Sequence, residues 1–157
     1  MRSATLYLDS SVLGGYFDDE FKEATRELFR QLTQGKFRAL TSVVVKQEIM
    51  QAPAAVRNLM QTTFPDQALL PLETEALDLA DAYVREGVVV PKYLTDARHV
   101  AICTVARLDY LVSWNFRHMV NVHREAGFSA VNLLQGYRRV RIVSPLELIY
   151  GQEKEDV

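Results

Sequence analysis

Residues 4–13 read ATLYLDSSVL. Thr5, Leu6, Tyr7 and Leu8 form a run of β-forming residues that ends on Asp9, and the small hydroxyls Ser10 and Ser11 precede a return to apolar side chains. The pattern predicts a buried strand ending at an acid. In open parallel α/β sheets ligands gather outside the carboxyl ends of the strands, so an ionisable side chain there is placed for chemistry. Asp9 or Ser10 can equally serve as the N-cap of a following helix.

Outward from this stretch, strand and helix patterns alternate. Phe21, Ala24, Leu28, Phe29 and Leu32 recur at helical spacing and stop at Gly35, and Phe37 to Leu40 reads as a second strand. Thr41 or Ser42 can cap a helix through Val43, Val44, Val45, Glu48 and Ile49, with Glu48 on the face of Val44 and Val45 that turns to the core. A carboxylate on such a face needs a partner or a metal, unless it sits at the edge of the stripe and reaches solvent.

Pro53 opens a helix to about Thr62, residues 67–70 suggest a third strand, and residues 73–86 carry the clearest helical stripe, ended by Gly87. Val88 to Val90 precede Pro91 and read as an extended connector. Thr95 and Asp96 open a helix that places Asp96 in its first turn, either as a cap or as a functional acid. Tyr110 to Val112 form another strand running into Ser113, Trp114 and Asn115; a helix follows over 129–135, and 140–143 form the last strand. The whole predicts an α/β protein, three layers α/β/α around a central parallel sheet of four to five strands, as one domain over residues 1–150 with an acidic tail at 151–157.

Composition narrows the function classes. At 157 residues, 48% hydrophobic and 24% charged, the chain fits one ordinary globular domain. Its one cysteine, Cys103, excludes an internal disulfide framework and a multi-cysteine zinc site. No apolar run approaches the roughly 18 to 20 residues that span a bilayer, and no signal-peptide pattern opens the chain, so a cytoplasmic location with no membrane partner is expected. A net charge of −2 argues against a surface coated with basic patches.

Asp9, Asp96 and the Ser113–Asn115 pair thus fall at strand ends or helix starts that a parallel sheet brings to one edge, with Glu48 turned inward from its helix. Crowded carboxylates repel one another, and a divalent cation removes the conflict. Oxygen donors without cysteine suit Mg2+ or Mn2+, which lower the pKa of a bound water and offset charge growing on a phosphate. Hydrolysis of a phosphate ester is the chemistry implied. No Gly-x-Gly-x-x-Gly or Walker loop, no His-Glu-x-x-His and no Gly-x-Ser-x-Gly motif occurs in the chain.

Four segments, LYLDSSVLGGYF, VVVKQEIMQAP, YLTDARHVAICTVARLDYLVSWNFRHMVN and VRIVSP, in that order, resemble the PIN-domain nucleases that include the VapC-type toxins. In that family a strand-ending acid, a helical acid, an acid opening a later helix and an acid in a Thr/Ser-x-Asp turn bind metal. Asp9, Glu48 and Asp96 match the first three. The fourth differs, since Ser113-Trp114-Asn115 offers an amide, which can still coordinate a cation or orient water but lacks one negative charge. The resemblance implies a metal-dependent ribonuclease acting on RNA, held by an antitoxin and commonly a homodimer. Asp9, Glu48 and Asp96 would be its metal ligands and, with Asn115, its catalytic set, while Ser11, Ser113, Lys46, Arg117 and His118 would contact substrate. Two alternatives stand beside it: an RNA- or antitoxin-binding module of the same fold with little or no activity, and an aspartate-dependent phosphatase, against which Ser11 stands where an Asp-x-Asp motif needs its second acid.

Overall fold

The strand predicted before Asp9 forms over Ala4–Leu8 (β1) in the computed structural model, which describes residues 2–151. Leu6, Tyr7 and Leu8 are fully buried, and burial of each leucine contributes about 1.5–3 kcal/mol. Phe37–Leu40 (β2), Tyr110–Val112 (β3) and Ile142–Val143 (β4) complete a sheet ordered β2-β1-β3-β4, every neighbouring pair parallel. This is the α/β architecture with a central parallel sheet flanked by helices. The sheet has four strands among the described residues. Residues 67–70 do not add a fifth: a 3₁₀ turn over Asp66–Ala68 follows Pro65, and only Leu70 makes an isolated bridge, to Ser42. Pro65 fixes the backbone entering that turn and withholds an amide from any ladder.

The helices are Ser10–Gly15 (α1), Lys22–Thr33 (α2), Val43–Glu48 (α3), Ala54–Thr63 (α4), Thr74–Arg85 (α5), Leu94–Val105 (α6), Val122–Leu134 (α7) and Pro145–Gly151 (α8). With this strand order, the right-handed rule for parallel crossovers sends the β1-to-β2 connection over one face and the β2-to-β3 and β3-to-β4 connections over the other. The packing agrees, since α2 lies on α8 while α5 lies on α6 and touches α7. Apolar residues of both layers and the sheet join one buried cluster. Helix α6 is central: Ala97, His99, Val100, Ala101, Ile102, Cys103 and Thr104 are all buried, and burial pushes the Cys103 thiol up to about 12, as befits a packed hydrophobe.

Several boundaries differ from the pattern. Helix α7 begins at Val122, well before residue 129, because Asn121 accepts the amides of His123 and Arg124 as an N-cap. The last strand is two residues long, and α8 was not foreseen. Gly151 ends α8, so the acidic tail expected over 151–157 begins inside a helix and its remainder lies outside the described residues. Gly35 and Gly136, with φ of 79° and 86°, supply the left-handed turns that follow α2 and α7. Among the described residues no helix is long and apolar enough to cross a membrane.

Candidate active site

Because β2, β1, β3 and β4 run parallel, their carboxyl ends share one edge, and Asp9, Thr41, Ser42, Ser113 and Ser144 follow the four strands there. The chain steps from β1 to β2 in one direction and crosses back to β3 and β4 in the other. The switch point therefore lies between β1 and β3, where a crevice opens in sheets of this kind. Asp9 stands at that point.

Asp9 is 6% exposed. Its Oδ1 accepts from Ser11 Oγ at 2.6 Å and from the Val12 amide at 3.3 Å, so it does cap α1. The capping role and a functional one can coexist, because both capping hydrogen bonds fall on Oδ1, with the Ser113 hydroxyl also acting on the carboxyl group. Burial raises its pKa above the usual carboxylate range, while the Ser11 and Ser113 hydroxyls act against this. Ser11 Oγ also accepts the Trp114 amide at 2.8 Å, and Ser113 Oγ accepts the Asn115 amide at 3.0 Å. Ser11 and Ser113 thus tie the acid to the end of β3 and have little hydroxyl left for a substrate.

Asp96 lies in the first turn of α6, half-buried, and no side-chain hydrogen bond or ion pair within the described residues engages its carboxylate. Burial raises its pKa, the charges of Asp9 and Glu48 add to this, and the His99 and His118 rings act against it. Asp96 therefore lies within electrostatic reach of Asp9 and Glu48. Glu48 differs from expectation in its position: as the last residue of α3 it is a rim residue with its side chain 34% exposed, and it reaches inward rather than lying on the core face.

What it reaches is His99. The His99 Nε2 lies 2.5 Å from Glu48 Oε1, and Ser10 Oγ donates to the same oxygen at 3.2 Å. His99 Nδ1 faces Tyr7 Oη at 2.6 Å, and Tyr7 Oη faces Ser42 Oγ at 2.6 Å. His99 and Tyr7 were missed as site residues. The signal was present: Asp96 and His99 are three apart and share a helix face, and a tyrosine inside a buried strand must find a partner for its hydroxyl.

The remaining candidates separate. Asn115 Oδ1 accepts the His118 amide at 3.0 Å, which spends one amide lone pair on the loop after β3. His118 packs against Tyr93, the rings tilted by 30° with centroids 4.3 Å apart, and it stands near enough to Asp96 to act on its charge. Arg117 is exposed and has no ion pair among the described residues. Lys46 is held by Asp66 at 2.7 Å, on the exposed side of α3 and away from the acids.

Among the described residues no three His, Cys, Asp or Glu side chains close into a ready-made metal cage. Mg2+ and Mn2+ keep several waters and take one or two carboxylates directly, and the donors that could serve such an ion are the Asp9 and Asp96 carboxylates, whose burial disfavours bare negative charge. A cleft of about 810 Å3 opens elsewhere, at the amino edge of the sheet among Asp109, Glu125, Arg138, Arg139 and Arg141. Size does not make it the better candidate, since it holds no buried carboxylate comparable to Asp9 at the switch point. The chain matches no protein-family model, and no curated protein matches it.

Proposed function

We propose that the protein is a divalent-cation-dependent endoribonuclease of the PIN-domain kind, acting as the toxin of a toxin–antitoxin pair. The observation that supports this best is a buried acid, Asp9, at the switch point of a parallel sheet, with Asp96 at a helix start within electrostatic reach of both Asp9 and Glu48. Asp9 and Asp96 would hold Mg2+ or Mn2+, with Glu48 beside them. Bound there, the cation would supply an acidified water and stabilise charge growing on the scissile phosphate. Glu48 would orient that water through its free oxygen, and Arg117 with His118 would hold the neighbouring phosphates. RNA as substrate, an antitoxin partner and a homodimer rest on the resemblance of the four segments quoted above.

One observation favours a second reading, a binding module with little activity: Asn115 replaces a charged ligand with an amide that is partly spent on its own loop. Both readings meet in one experiment, cleavage of end-labelled RNA by the wild type and by Asp96→Asn with Mn2+ or with EDTA. The nuclease reading expects cleavage with Mn2+ alone and its loss in the variant. Cleavage indifferent to EDTA and to the substitution would overturn it. RNA bound but never cut, with an affinity that survives Asp96→Asn, would establish the binding module instead.

A further inference from the structure

Glu48 is gripped on one oxygen only. His99 and Ser10 both address Oε1, and no hydrogen bond among the described residues reaches Oε2. The grip comes from deep inside the protein: His99 is 2% exposed, Tyr7 fully buried and Ser42 fully buried. A buried imidazole and a buried phenol cost several kcal/mol unless their hydrogen bonds are made, and here each group satisfies the next.

The direction of the chain follows from donor capacity. Ser42 Oγ caps α3 by accepting the amides of Val44 at 3.2 Å and Val45 at 3.4 Å, which occupies both of its lone pairs. Its own hydrogen is left for Tyr7 Oη. Tyr7 then donates to His99 Nδ1, and the ring carries its hydrogen on Nε2, facing a carboxylate that can only accept. The same serine that starts α3 thereby orders the bond that fixes the acid at the end of α3.

We infer that His99 is a positioning residue: Ser42 and Tyr7 set it in the Nε2–H tautomer, it immobilises Oε1 of Glu48, and Oε2 is left for the cation or a water on it. This role rests on the cation reading above. A purely packing role for His99 would need neither a tautomer nor a carboxylate at its far side. Partners of this kind, once removed, lower metal affinity or activity by roughly 10- to 100-fold.

The test combines two measurements that need no turnover. The imidazole 15N spectrum of the cation-free protein reports which ring nitrogen carries hydrogen, and calorimetry with electron paramagnetic resonance reports Mn2+ affinity. The expected spectrum has hydrogen on Nε2 and a bare Nδ1; hydrogen on Nδ1 alone overturns the inference. His99→Leu, folded by circular dichroism, is expected to bind Mn2+ roughly 10- to 100-fold more weakly, His99→Gln to recover most of that loss by keeping a donor near Oε1, and Tyr7→Phe to lie between. In a Glu48→Gln background His99→Leu is expected to cost nothing further. Wild-type affinity in His99→Leu, or an equal loss with and without Glu48, overturns the positioning role while leaving the cation reading intact. A wild type that binds no Mn2+ overturns both. Should His99→Leu not fold, His99→Gln and Tyr7→Phe decide with the spectrum, and wild-type affinity in Tyr7→Phe counts against the inference.

Discussion

Tyr83 and Tyr7 are both fully buried, and each hydroxyl anchors a polar network inside apolar surroundings, yet the two networks end differently. Tyr83 Oη donates to Asn132 Oδ1, and the Asn132 amide donates to Thr104 Oγ1 and to the Arg138 carbonyl, each at 3.1 Å. Every link stays among α5, α6, α7 and the chain that follows α7. The Tyr7 network runs from Ser42 through His99 and stops at a carboxylate on the rim, with one oxygen unclaimed. A closed network holds helices together. An open one delivers its last bond to the surface, where a ligand can complete it.

The two regions should therefore fail in opposite ways, and the largest expected effect lies at the open end. Asp9→Asn and Asp96→Asn are each expected to lower Mn2+-dependent RNA cleavage by roughly 10²- to 10³-fold, the scale of losing one electrostatic stabiliser of a transition state, with the far-UV spectrum unchanged. Asn132→Ala, measured in the same assay per folded molecule, should cut at the wild-type rate. A matched loss of cleavage in Asn132→Ala would erase the contrast between the networks.

Next in size is the cost to stability at the closed end. Asn132→Ala strands the Tyr83 hydroxyl and is expected to cost about 2–3 kcal/mol in urea unfolding. A cost near zero would mean that water repairs the network.

A smaller pair of changes probes the carboxyl edge without touching an acid. A Cβ at Gly15 would lie 2.7 Å from Trp114 Nε1 and 2.9 Å from Thr25 Oγ1, whereas one at Gly14 meets nothing within 4 Å. Trp114 is itself fixed by stacking on Phe21, with centroids 4.3 Å apart, and by donating to Thr25 at 2.9 Å. Gly15→Ala is expected to cost ~1–3 kcal/mol, while Gly14→Ala should stabilise by ~0.4–1 kcal/mol; thermal unfolding compares them directly.

The smallest effect is a dependence on pH. Burial raises the pKa values of Asp9 and Asp96 above the usual carboxylate range. Without a cation, their contribution to stability is thus fully present below about pH 4, the ordinary carboxylate value, and is lost as pH rises through the raised folded values. Asp96→Asn should consequently raise Tm at neutral pH in EDTA and flatten its decline with pH. A variant less stable than the wild type at pH 7 in EDTA would contradict the claim that this acid is held at a cost.

Much of the architecture could be read in advance because it depends on local patterns. Strands β2 and β3 fall where short runs of β-forming residues meet turn signals, and β1 needs only Ala4 added at its start. The errors arise where tertiary context decides. Residues 67–70 look extended but are taken into a 3₁₀ turn, and Asn121 starts α7 in a stretch whose apolar spacing becomes regular only later. Asp9 and Asp96 were legible as candidates because each sits beside a detectable element boundary. The Tyr7 and His99 pairing was not, since 92 residues separate the partners and nothing in either local pattern names the other.

The Ser11 hydroxyl carries one more implication. It donates to Asp9 while accepting the Trp114 amide, so a single oxygen rivets the acid across the seam between β1 and β3. Asp9 can drift only if that seam parts, and the seam runs through the middle of the molecule. Heat should therefore disable this corner of the protein at the same temperature at which the whole sheet comes undone, with no earlier softening of the site by itself.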